Sequence, residues 1–158
     1  MNTKSILAGV LVVAALAALY IVYQDRYSGE PALASASINA AEIQVSIADD
    51  QAERIQGLSG VAELGPTEGK LFIFDESGAH GIWMKDMVIA LDVFWLDENL
   101  RVVHIEPNMT PGTFPTIFES EVPARFVLEM SAGFAESFTV NIGDELKIDQ
   151  DLLPEDLR

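Results

Sequence analysis

The sequence contains no cysteine among its 158 residues. Disulfides, thiolate metal centres and a bacterial lipid anchor on cysteine are therefore excluded. Histidine is nearly as scarce, with only His80 and His104 present. With Asp92 or Glu106 these imidazoles could supply a mixed nitrogen and oxygen metal site. Their spacing matches no metal motif such as His-Glu-x-x-His, so no metal ligand set is assigned. A Gly-x-Ser-x-Gly nucleophile elbow and a phosphate-cradling glycine loop are also missing, and the acidic residues 149–151 lack the glycine and spacing of a calcium loop. Basic residues are few as well, at 9 against 25 acidic ones, for a net charge of −16. Two of each precede Ala41, which leaves 23 acidic and 7 basic side chains beyond it. That balance opposes nucleic acid and anionic lipid headgroups as partners, and it permits cationic ligands.

What is present begins with an uninterrupted apolar run over residues 6–23, ILAGVLVVAALAALYIVY. As a helix at ~1.5 Å per residue it would extend roughly 27 Å, close to the hydrocarbon thickness of a bilayer. It exceeds the ~7–15-residue core of a cleaved signal, so residues 1–23 are read as a single transmembrane anchor. A secretory signal cut near Ala34-Ser-Ala36 is the alternative. Lys4 and the amino terminus precede the run and Arg26 follows it, which predicts an inside amino terminus. The expected location is a bacterial inner membrane with the domain on the periplasmic side, or the periplasm itself after cleavage. Residues 24–41 are small and polar without sustained periodicity and read as a linker.

The domain is expected over residues 42–148. Ile43, Val45 and Ile47 alternate with polar residues as in a half-buried strand. Asp50 and Glu53 have capping-box spacing ahead of a short helix, with Ala52, Ile55 and Leu58 on one face. Strands are predicted at residues 71–74, 89–96, 100–106, 124–130, 138–142 and 145–148. Asp97-Glu-Asn99 makes a hairpin turn between the second and third of these. Residues 107–123 hold four prolines and read as a long irregular crossover, of the length that functional loops often have. Residues 149–158 form an acidic tail. The fold class is all-β or β-rich α+β, a small barrel-like domain with one or two short helices.

The stretch around which the rest is arranged spans residues 81–96 and holds both tryptophans. Asp92 lies inside an apolar strand, where a carboxylate taken out of water must be paired, hydrogen-bonded or neutralised.

Several segments occur in a recognisable order: Glu53-Arg-Ile-Gln-Gly-Leu58, Gly69-Lys-Leu-Phe-Ile-Phe74, Trp83-Met-Lys-Asp86, Leu91-Asp-Val-Phe94, Val127-Leu-Glu129, Ala132-Gly133 and Gly143-Asp-Glu-Leu146. Together they resemble the domain of unknown function 192 family, over nearly all of the domain. The resemblance implies a compact β-barrel-like domain, commonly behind an export signal or anchor, with no established activity. The chain departs from the family's usual pattern at Ser59 and Lys70, where methionine is common. Trp83-Met-Lys-Asp-Met87 stands for the family's Trp-Met-Lys-Asn-Thr.

Arg54, Lys85, Asp86 and Asp92 have two readings. One is structural, in which ion pairs permit Asp92 to be buried, with Arg54 offering a bidentate fork. The other makes them polar anchors in an apolar pocket walled by Trp83, Met84, Met87 and Phe94. The expected ligand-binding residues are Trp83, Met84, Lys85, Asp86, Asp92 and Arg54, with the 107–123 crossover available as a flap. The leading expectation is a membrane-anchored, periplasm-facing binding module for a small molecule or a peptide, with no cofactor identified. The alternatives are a metal-assisted or carboxylate-dependent hydrolase using Asp86, Asp92 and the histidines, and an envelope protein–protein interaction domain. Glu129, in an apolar strand, is expected to face solvent or a barrel-closing partner.

Overall fold

The computed structural model describes Ala14, residues 16–20, residues 33–153 and Glu155. The apolar run 6–23 lies largely outside the described residues. Among them, no helix is long and apolar enough to cross a membrane. The domain begins at Leu33.

Seven strands make one sheet: β1 (Leu33–Ile38), β2 (Ala41–Ala48), β3 (Glu68–Gly78), β4 (Leu91–Leu96), β5 (Val102–Met109), β6 (Ala124–Ser131) and β7 (Leu146–Ile148). Their spatial order is β5-β4-β6-β3-β2-β1-β7. All neighbouring pairs are antiparallel except β2 with β3, which a crossover through helix α1 (Gln51–Gln56) joins. The two ends of the sheet approach one another, because Val102 N–H donates to the Asp144 carbonyl and Leu146 N–H to that of Leu100, both at 2.9 Å. An Arg101–Glu145 ion pair at 2.6 Å braces the same junction. The sheet is a half-barrel drawn together at one corner.

The β4–β5 hairpin forms as the turn residues predict, with Asp97 Oδ1 accepting from Asn99 N–H (2.8 Å) and Arg101 N–H (2.9 Å). The α1 cap forms too. Asp50 Oδ1 accepts from Glu53 N–H at 2.8 Å, while Glu53 Oε2 reaches back to Asp49 N–H at 3.2 Å, one residue earlier than a standard capping box.

Three local expectations are corrected. The segment read as linker contains β1, whose buried Ala34, Ala36 and Ile38 alternate with exposed or half-buried Leu33, Ser35 and Ser37. Alanine and serine carry weak strand propensity, and it is pairing to β2 and β7 that holds them extended. Helix α1 ends at Gln56, so Leu58, expected on one face of it with Ala52 and Ile55, lies beyond the helix; Leu58 is buried while Ile55 is 68% exposed. The predicted 138–142 strand is absent, because Thr139 takes a positive φ of 53°. Helix α2 (Phe134–Ser137) precedes it, and Asn39 Nδ2 donates to the Thr139 carbonyl at 3.1 Å.

Period-two alternation sorts side chains onto two faces. The inner face gathers Ile43, Val45, Leu71, Ile73, Phe94, Leu96, Phe126 and Leu128 into one core, closed at one end by Phe134 of α2. Fully burying each such aliphatic or aromatic side chain contributes roughly 1.5–3 kcal/mol. The outer faces of β3, β4 and β6 carry a second core, with Phe72, Val93, Trp95 and Val127 packed under Leu58, Ile82 and Met84 from the covering loops. The three central strands are thus buried on both sides.

Gly69 lies on β3 opposite Met130 of β6. A Cβ there would overlap the Met130 sulfur and stand 2.5 Å from the Glu129 carbonyl oxygen. Gly112, by contrast, has nothing within 4 Å of an added Cβ. We expect Gly69→Ala to destabilise the fold by about 1–3 kcal/mol through overpacking and Gly112→Ala to fall within about 0.5 kcal/mol of wild type, measured by urea denaturation.

Candidate functional site

Among the described residues, the two buried acidic side chains, Asp92 and Glu129, sit on strands β4 and β6, one row apart and on opposite faces. Asp92 pairs in register with Met130, and Val93 pairs with Glu129. Since facing residues in a ladder share a side, Asp92 points to the inner core and Glu129 to the outer one.

Asp92 is 1% exposed and fully engaged. Its Oδ1 accepts from Asn108 N–H at 2.8 Å. Its Oδ2 accepts from Gly133 N–H at 3.1 Å and Ala135 N–H at 2.8 Å. Three main-chain donors, rather than the ion pairs expected with Arg54 or Lys85, allow this carboxyl group to be buried. It ties the end of β5 and the start of α2 to the barrel end. A hollow of ≈ 370 Å³ opens beside it, lined by Pro107, Asn108, Gly133 and Glu136 among others, but Asp92 brings no free oxygen there.

Glu129 is 5% exposed, and its Oε2 has no hydrogen-bond partner. Burial pushes its carboxyl up from 4.5 to about 8, with Lys70, its register neighbour on β3, pulling the other way. Around it the covering loops are clamped together. Gly60 N–H donates to the Asp86 carbonyl at 2.9 Å, and Ser59 Oγ to that of Lys85 at 3.0 Å. Ile82 and Phe118 exchange two backbone bonds of 2.9 Å. The clamp leaves a cleft of ≈ 60 Å³ whose lining includes Arg54, Leu58, Phe72, Trp83, Met87 and Glu129. Trp83 is 49% exposed and meets Phe114 of the proline-rich crossover edge-on, with ring centroids 6.1 Å apart.

Of the residues expected to bind ligand, only Trp83 and Arg54 line this cleft. Met84 is 1% exposed, inside the outer core, and Met87 occupies the cleft wall instead. Lys85 and Asp86 lie at the surface, 3.7 Å from each other, and hold the loop through their carbonyls rather than their charges. Asp92 lies across the sheet. Arg54 is already committed, with Nη1 donating to the Asp49 carbonyl (2.6 Å) and the Ile73 carbonyl (2.7 Å) and Nη2 lying 3.8 Å from Asp75. Its guanidinium also sits 5.5 Å above the Phe74 ring.

The histidines are apart from the cleft lining. His80 stacks on Phe74 at 3.5 Å, and burial holds its imidazole below its ordinary pKa. His104 Nε2 lies 3.8 Å from Glu106. Among the described residues, no group of three or more His, Asp or Glu is placed to hold a metal ion.

Glu129, expected to face solvent or a barrel-closing partner and absent from the expected binding residues, is instead buried under the covering loops. The signal was present in Ala124-Arg-Phe-Val-Leu-Glu-Met130, where a carboxylate interrupts an apolar run as Asp92 does in β4.

The sequence matches the family model DUF192, "Uncharacterized ACR", over residues 34–148. The chain belongs to DUF192. This match begins at β1, consistent with a domain that starts before Ala41. No curated protein matches the chain. Two solved structures are similar to this DUF192 domain. One, from Sinorhizobium meliloti 1021 and described as a candidate transcription regulator, is 28% identical with a TM-score of 0.71, covering 75% of this chain and 95% of that one. The other, a protein of unknown function from Novosphingobium aromaticivorans DSM 12444, is 26% identical with a TM-score of 0.69, covering 73% and 84% respectively.

Two predictions follow the two carboxyl groups. Asp92→Ala strands three main-chain donors and is expected to cost about 3 kcal/mol or more, seen as a lowered denaturation midpoint. For Glu129, both folded and unfolded states hold the proton below about pH 4.5. Between there and about 8 the unfolded chain ionises while the folded one does not, so stability falls as pH rises and levels off above. Glu129→Gln removes this loss. We expect it to gain about 1–3 kcal/mol relative to wild type between pH 5 and pH 8.5, measured by urea denaturation at each pH.

Proposed function

We propose that this DUF192 domain is a binding module whose ligand enters the cleft between α1, the 81–89 loop and β6. The observation that carries the reading is Glu129 Oε2, a buried oxygen without a partner in a cleft lined by Leu58, Phe72, Trp83 and Met87 together with Arg54, Gln56 and Ser59. An unsatisfied buried polar atom costs on the order of 1–3 kcal/mol, and a ligand that satisfies it recovers that cost only when bound. Apolar and aromatic side chains with a small number of convergent polar groups are the usual composition of a ligand site. A volume of ≈ 60 Å³ limits the occupant to a small group, either a whole small molecule or one side chain of a peptide. Exposed Ile55, Val88, Phe114 and Ile117 offer apolar contact for whatever extends beyond it.

The apolar run 6–23 after Lys4 supports a domain tethered at the outer face of an inner membrane, with the cleft open to the periplasm. The description of the Sinorhizobium relative as a regulator suggests DNA. Seven basic side chains against 23 acidic ones beyond Ala41 oppose contact with a phosphate backbone. Of the carboxylate pairs open to the hydrolase reading, Asp86 and Asp92 stand on different sides of the sheet.

Trp95 is fully buried and Trp83 half-exposed, so ligand screening by intrinsic fluorescence reports on the cleft. A bound ligand is expected to shift Trp83 emission, to lose that effect in Trp83→Phe, and at 100 times its Kd to stabilise the fold by about 2.7 kcal/mol. A broad panel of small molecules and peptides that moves neither emission nor Tm would defeat the reading.

A further inference from the structure

We infer that the cleft recognises a primary ammonium group on a short aliphatic stem, with the Glu129 carboxylate as its counter-ion. The inference rests on the binding reading above and specifies its ligand class.

The geometry favours a cation over the other ligand charges. Glu129 is the acidic side chain that lines the cleft, buried to 5% exposure with an unpartnered oxygen. Once Glu129 is ionised, above about pH 8, an anion would be repelled by it. The Arg54 guanidinium on the same lining directs Nη1 to the Asp49 and Ile73 carbonyls and lies against Asp75 and the Phe74 ring. Leu58, Phe72 and Met87 suit a methylene stem. Trp83 at the mouth presents an indole, the preferred aromatic for a passing cation. The ≈ 60 Å³ volume is about twice the share of one water in the liquid, enough for an ammonium and a methylene or two. Glu119 adds negative charge behind the Gly81 wall, its Oε1 3.1 Å from where a Gly81 Cβ would stand. At long range, the net charge of −16 steers cations inward.

Binding is coupled to a proton. The empty site holds Glu129 protonated at neutral pH. An arriving alkylammonium keeps its own three protons, the Glu129 carboxyl proton leaves to solvent, and a carboxylate–ammonium pair remains. The charged groups facing Glu129 are Lys70 from β3 and Arg54 from α1. The 81–89 loop contributes only uncharged Gly81, Ile82, Trp83 and Met87 to the cleft lining, and Leu58 and Ser59 likewise carry no charge. Affinity should therefore rise up to tenfold per pH unit below about 8 and level off until the amine itself loses its proton near pH ~10.

The test titrates the full-length protein with n-butylammonium, 1-butanol and butyrate, following Trp83 emission, with proton release measured at fixed pH. The expected result is binding of n-butylammonium at least tenfold tighter than of either comparator. Close to one proton should leave per ligand at pH 6.5 and nearly none at pH 9.5. Glu129→Gln, with its fold verified by the emission of buried Trp95, should weaken butylammonium at least tenfold and abolish the release. Binding of 1-butanol or butyrate as tightly as of butylammonium, or no proton release by the wild type, overturns the ammonium assignment while leaving the cleft a ligand site. Absence of any Trp83 response to all three probes overturns the assignment, and the broader panel described above then decides whether the binding reading falls with it.

Discussion

Burial of β3, β4 and β6 on both faces is the constraint from which the rest of the domain follows. A half-barrel of seven strands fills its own interior, but it leaves the outer face of its central strands apolar. Phe72, Val93, Trp95 and Val127 there must be covered. The chain covers them with loops rather than a second sheet or a long helix, which is why so much of a small β domain is irregular. Loops have no ladder to satisfy their backbone groups. They satisfy one another instead, through Gly60 to Asp86 and Ile82 to Phe118. Such a cover closes less completely than a sheet would, and the gap it leaves lies over Glu129.

The two acidic residues of the central strands show how neighbouring rows of one ladder can meet opposite fates. Asp92 faces the barrel end, where β5 finishes and α2 starts, and both features leave backbone N–H groups without ladder partners. Three of them converge on its oxygens. Glu129 faces the outer core, among apolar side chains, its cross-strand neighbour Lys70 and an arginine bound elsewhere. The same chemical group is a structural tie in one place and an unmet valence in the other. A larger hollow beside Asp92 is consequently less informative than the narrow cleft at Glu129, since volume alone supplies no recognition.

Local rules read much of the chain correctly. The cap at Asp50, the Asp97 turn, the β4–β5 hairpin and the strand character of residues 71–74 and 124–130 each depend on residues close in sequence. Strand β1 escaped because its alternation is written in alanine and serine. The exposure of Ile55 escaped because helical spacing identifies an apolar face without saying whether anything lies against it. Trp83 and Arg54 were legible as cleft residues from their neighbourhood. Met84 was misplaced because adjacent residues of a loop can point in opposite directions, and no period assigns them.

By itself, the order of residues determined the β-rich class, the short capped helix, the family, the acidic charge and the two carboxyl groups set in apolar strands. Those properties depend on spacing and composition, which are local or additive. Only the tertiary structure decided which carboxyl group would be satisfied. The donors that meet Asp92 come from positions 16, 41 and 43 residues away, and the loops that enclose Glu129 arrive from two distant segments. Contacts across such separations depend on strand order and register, and no short-range pattern encodes them.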